Sequence, residues 1–133
     1  MKQAPEGDMN EKKTDILIID DEADFCHFIK LNLESTNQYT VYTATSGRKG
    51  IQMAKSRRPD LILLDVFMPE MDGTMVAEHL LEDASTRDIP IIFLTAVATK
   101  RDVTGGGGMI GGRHMIAKPV STNDLISTVR SVL

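Results

Sequence analysis

Two runs of four consecutive apolar residues, Ile16–Ile19 and Leu61–Leu64, constrain this chain more than any other feature. A strand that is apolar at every position has no face to give to water, so it belongs inside a sheet covered on both sides. Sheets of that kind are parallel, with helices supplying the crossovers. Neither run approaches the roughly 20 residues that a membrane span requires.

From Asp15 onward, strand-length runs alternate with segments of helical period, and five such pairs can be traced. Ile16–Ile19 is followed by a helix with Phe25, Phe28, Ile29 and Leu33 on one face. Tyr39–Thr43 alternates more mildly, as an edge strand does, and Ser46 offers a cap for a helix that turns Ile51 and Ala54 inward. Pro59-Asp60 turns into Leu61–Leu64, which Asp65 ends; the loop Met-Pro-x-Met-Asp-Gly then leads to a helix pairing Val76 with Leu80 and Ala77 with Leu81. Ile91–Leu94 is the fourth strand, entered by Pro90 and ended by Thr95. The fifth is His114–Ala117, after which Ser121-x-x-Asp124 caps a last helix carrying Leu125, Ile126, Val129 and Leu133.

Between Thr95 and His114 the alternation predicts a fourth helix, but Gly105–Gly108 and Gly111-Gly112 each cost it about 1 kcal/mol against Ala. That helix is expected to be short and irregular. Gly106-x-Gly108-x-x-Gly111 imitates a dinucleotide fingerprint, yet it precedes a strand where the fingerprint must follow one. Residues 1–14 mix Lys, Glu, Asn, Gly and Pro without an apolar period, which predicts a disordered lead-in to one domain over 15–133.

A net charge of -4 offers no basic field for nucleic acid, so direct binding to it is not expected. Cys26 is the single cysteine, which excludes an intrachain disulfide and a thiolate metal cage and fits a reducing cytoplasm. His27, His79 and His114 read as surface or helix residues rather than ligands.

Ligands of open parallel sheets bind beyond the carboxyl ends of the strands, where Asp20, Asp21, Asp65, Thr95 and Lys118 all fall. Singly, each has an ordinary explanation: an acid after a strand caps helices, a Thr turns, and a Lys is usually solvated. Together they place three carboxylates, a hydroxyl and an ammonium at one edge. Three crowded carboxylates repel one another unless a cation lies between them, and an all-oxygen set that also receives a phosphoryl group suits Mg²⁺. A carboxylate can itself attack phosphorus.

In order and spacing, Asp20-Asp21, Asp65-Val66-Phe67-Met68-Pro69, Thr95-Ala96 and Lys118-Pro119 resemble the receiver domains of two-component response regulators. The resemblance implies an α/β, doubly wound, flavodoxin-like fold, with a five-stranded parallel sheet of order 2-1-3-4-5. It implies that Asp65 takes a phosphoryl group from a sensor histidine kinase or a histidine phosphotransfer protein, and that conformational switching then controls an output partner or a C-terminal domain. Mg²⁺ would be held by Asp21, Asp65 and the Phe67 backbone carbonyl, with Asp20 acting largely through water on the ion. Lys118 and Thr95 would contact the phosphoryl oxygens, Thr95 moving as the switch, and Pro119 would form the turn. No membrane partner is implied.

The chain departs from the family at Met115, where a Tyr or Phe usually reports the threonine's movement, and at the glycines, which occupy a surface often used for dimerisation. Met is flexible enough to refill a vacated pocket, so Met115 either substitutes loosely or the output uses another surface. Phe67 and Val97 are both apolar, and in the family these places flank the path of the attacking water; slow phosphoryl loss is expected. A phosphatase of the haloacid-dehalogenase type needs a second Asp where Phe67 stands. A constitutive adaptor that takes no phosphate stays open as the alternative.

Overall fold

A computed structural model describes residues 13–96, 109–110 and 113–133. The chain runs β1 (Thr14–Ile19), α1 (Ala23–Glu34), β2 (Tyr39–Ala44), α2 (Gly47–Arg57), β3 (Leu61–Asp65), α3 (Gly73–Glu82), β4 (Ile91–Thr95), β5 (Met109–Ile110), β6 (Arg113–Ala117) and α4 (Thr122–Val132). The sheet order is β2-β1-β3-β4-β6-β5. Its first five members pair in parallel and reproduce the expected order 2-1-3-4-5, β6 being the fifth parallel strand.

Alternation along the apolar runs decides which helix each residue meets. Ile16, Ile18, Leu61 and Leu63 point to the face covered by α1 and α4, where they pack with Ile29, Leu33, Leu125 and Val129. Leu17, Ile19, Ile62 and Leu64 point the other way, to Ala54 of α2 and to Val76, Ala77 and Leu80 of α3. The sheet is therefore filled on both faces, as runs without a polar position require. Gly50 lets α2 lie close to the sheet, since a Cβ there would run into the Ile19 side chain.

Caps set the helix starts. Ser46 Oγ accepts from Lys49 N at 3.2 Å, and Ser121 Oγ accepts from Asp124 N at 3.1 Å. Asp72 Oδ1 accepts from Met75 N at 3.0 Å and from Thr74 Oγ1 at 2.7 Å. Each satisfies a donor that the first turn leaves unpaired.

The structure differs from the sequence reading in detail. Phe28, Leu81 and Leu133, expected on inward faces, are 41%, 46% and 48% exposed. β1 begins at Thr14, one residue inside the expected lead-in. The Gly-rich helix lies mostly outside the described residues, and where it is described, Met109–Ile110 form an antiparallel strand against Arg113 and His114 instead. Pairing with the outer strand of a sheet satisfies backbone groups that a helix interrupted by glycines leaves weakly held.

Candidate functional site

Asp20 leaves β1 fully buried, its N–H donating to Ala44 O at 3.0 Å. Its carboxylate is divided between two donors: Oδ1 accepts from Glu22 N at 2.9 Å, and Oδ2 lies 2.7 Å from Lys118 Nζ. Asp65 ends β3 and is also buried. Asp21 is exposed, and the three acids offer oxygens that all lie within 4.8 Å of one another.

Burial raises both buried carboxyls above their ordinary range. At Asp20 the Lys118 ammonium offsets part of that effect. At Asp65 desolvation comes first and the neighbouring Asp20 charge adds to it, pushing the carboxyl up to about 6, against the pull of Lys118 and a hydrogen bond from the Phe67 backbone. Two buried acids in mutual repulsion form a donor set short of positive charge. Hard oxygen ligands in that state fit Mg²⁺.

The cationic side comes from the end of β6. Lys118 is mostly buried, and its backbone N–H donates to Thr95 O at 2.9 Å, tying the ends of β4 and β6 together. Thr95 is 3% exposed. The Lys118–Pro119 peptide is cis, and the Pro119 turn leads into α4. Met115 is buried and stands opposite Phe93 in the β4–β6 register, on the sheet face that Phe93 and Thr95 share. Phe67, by contrast, is 59% exposed beside Asp65. Val97 lies outside the described residues.

The structure thus brings Asp20, Asp21, Asp65 and Lys118 together, with Thr95 joined to Lys118 through the backbone. His27 and His79 are exposed on their helices, and among the described residues no histidine joins a cluster of possible metal ligands.

Two residues of the site escaped the sequence reading. Glu22 Oε1 lies 3.3 Å from Lys118 Nζ, a contact for which an exposed acid next to a helix gives no signal. Gly73 opens α3 so close to Asp65 that a Cβ would strike the Asp65 carbonyl oxygen and the Val66 Cα, while its N–H donates to Val66 O at 2.8 Å. Its place directly after the capping Asp72 was the available clue.

The chain is 36% identical over 118 residues to the DNA-binding dual master transcriptional regulator RpaA of Synechocystis, covering 89% of this chain and 48% of that protein. It is 32% identical to protein PilH of Pseudomonas aeruginosa, covering 89% and 96%. The structure of the chemotaxis response regulator CheY4 of Vibrio cholerae superposes with a TM-score of 0.79 at 27% identity, over 92% of this chain and all of that one. The chain spans about half the length of RpaA and nearly all of PilH. With residues 16–130 matching the family model of the response regulator receiver domain, the chain belongs to that family.

Proposed function

We propose that Asp65 accepts a phosphoryl group from a phosphohistidine donor, a sensor histidine kinase or a histidine phosphotransfer protein, and that the resulting charge switches the domain's output. The observation that carries this reading is the cluster of Asp20, Asp21 and Asp65 oxygens within 4.8 Å, with the Lys118 ammonium beside them.

In the proposed step an Asp65 carboxylate oxygen attacks phosphorus in line with the donor nitrogen. The new O–P bond forms as the N–P bond breaks, and the donor imidazole keeps the electron pair and takes a proton from solvent. Positioning and electrostatics supply the catalysis. Mg²⁺, which Asp21, Asp65 and the Phe67 carbonyl would hold with Asp20 acting largely through water on the ion, would neutralise charge on the transferring oxygens. Lys118 would reach those oxygens from the other side, starting 3.7 Å from Asp65 Oδ1. Thr95 would turn its hydroxyl toward them, and Met115, on the same sheet face, would repack behind it.

RpaA carries a further portion of similar length, so an output segment or a separate partner would read the switch. Among the described residues no helix is long and apolar enough to cross a membrane. The lone Cys26, with no disulfide partner, supports a reducing cytoplasm as the place where the domain works.

The test is incubation with Mg²⁺ and acetyl phosphate, followed by intact mass. One added phosphoryl group in the wild type and none in Asp65→Asn supports the reading. No addition under any donor would leave the constitutive adaptor as the better account.

A further inference from the structure

Lys118 is not centred on Asp65. Its Nζ lies 2.7 Å from Asp20 Oδ2, 3.3 Å from Glu22 Oε1 and 3.7 Å from Asp65 Oδ1. The Phe25 ring closes another side, its centroid 4.3 Å from Nζ, a distance at which a ring face attracts an ammonium. Two residues of the α1 start thus hold a lysine that enters the pocket from the far end of the sheet.

Glu22 occupies the cap position of α1, where Ser, Thr, Asp or Asn would bond the first turn, yet it makes no side-chain cap bond. Its backbone is fixed instead. The N–H donates to Asp20 Oδ1 at 2.9 Å, and the carbonyl accepts from Cys26 N at 3.0 Å. The side chain is left free to reach Lys118. Glu22 also stands outside the three-carboxylate cluster, so it is the one acid on Lys118 that a cation at the cluster would not share.

We propose that Glu22 is a positioning residue that sets the resting place of the Lys118 ammonium, holding it on the β1 side of the pocket and away from Asp65, and so slows phosphoryl acceptance. This rests on the reading of Asp65 as the phosphoacceptor. Lys118 must leave Glu22 to follow the incoming oxygens, and the cost of leaving is part of the barrier. The Glu22 side chain is 66% exposed, which keeps the pair weak. Its removal is expected to accelerate the reaction by about two- to fivefold.

Glu22→Gln keeps the size and removes the charge. Asp24→Asn is the control, because it removes a like charge from the same helical turn at an exposed residue. In lysine-¹³C-labelled full chain without Mg²⁺ or phosphodonor, the Lys118 side-chain NMR signal is expected to move in Glu22→Gln and to stay in Asp24→Asn. With Mg²⁺ and acetyl phosphate, Glu22→Gln is expected to gain the phosphoryl mass about two- to fivefold faster, and Asp24→Asn at the wild-type rate. An unmoved Lys118 signal in Glu22→Gln overturns the proposal. Equal acceleration by both variants overturns it too, since that is a general field effect. A wild type that takes no phosphoryl group sinks the Asp65 reading and the rate half with it, while the Lys118 signal still decides the resting place.

Discussion

The two helices that begin beside the pocket begin in opposite ways. α3 opens on Asp72, whose side chain bonds two donors of the first turn, and on Gly73, packed against the Asp65 carbonyl. α1 opens on Glu22, which caps nothing with its side chain and contacts Lys118. One start holds the backbone beside Asp65, the other touches the Lys118 ammonium. On the reading proposed above, phosphoryl acceptance uses both: Asp65 held in place as the nucleophile and Lys118 changing partners.

The contrast can be broken hardest at Gly73. Gly73→Ala puts a methyl group against backbone that cannot yield as a side chain would, and is expected to cost about 3 kcal/mol in urea unfolding. Mg²⁺ binding should weaken with it because Asp65 shifts. A loss below about 1 kcal/mol would show that α3 is free to move away.

Next come the caps themselves. Asp72→Ala is expected to lose about 1 kcal/mol of stability, whereas Glu22→Ala changes it by less than about 0.5 kcal/mol. Equal losses would erase the distinction between the two starts.

The fixed side of the pocket also carries a pH signature. A carboxyl raised in the folded state favours the native state below its unfolded value, and that advantage is lost as pH rises through the folded one. For Asp65 the window runs from 3.8 to about 6. Metal-free protein should therefore lose stability across that range, and Asp65→Asn should flatten the loss. Mg²⁺ must displace the proton below about 6, so its affinity in titration should fall by up to about tenfold per pH unit there. A pH-independent affinity between 5 and 7 would contradict the raised carboxyl.

The smallest structural effect is expected at exposed Phe67. Phe67→Asn should leave stability within about 0.5 kcal/mol while shortening the aspartyl-phosphate lifetime, read by intact mass over time. A wild type that decays faster than the variant removes the idea that apolar neighbours retard hydrolysis.

The sequence was legible where one physical rule decided the outcome. Runs such as Leu61–Leu64, apolar at every position, had only the doubly covered sheet to enter, and that placed Asp65 at a strand end with Asp20 and Lys118 beside it. It was less legible where several rules compete. Phe28 and Leu81 stand at helical spacing from buried residues, but the sheet is covered by a narrower stripe than periodicity alone suggests. Glu22 meets Lys118 through a tertiary approach that no local pattern encodes, and the place of Gly73 after the capping Asp72 marks a helix start without revealing the approach to the Asp65 carbonyl.

The outer strand β2 carries a further consequence. Val41 directs its N–H to Glu34 Oε2 at 3.0 Å and its carbonyl to Lys30 Nζ at 2.8 Å, both from α1, and at the opposite margin β5 lies over β6. At Val41, and beside Arg113 and His114, backbone groups that could template a foreign strand are thus engaged by the protein's own side chains or by a short strand. A second copy approaching the β2 margin would have to break the Val41 contacts to Glu34 and Lys30 before its own strand could pair there.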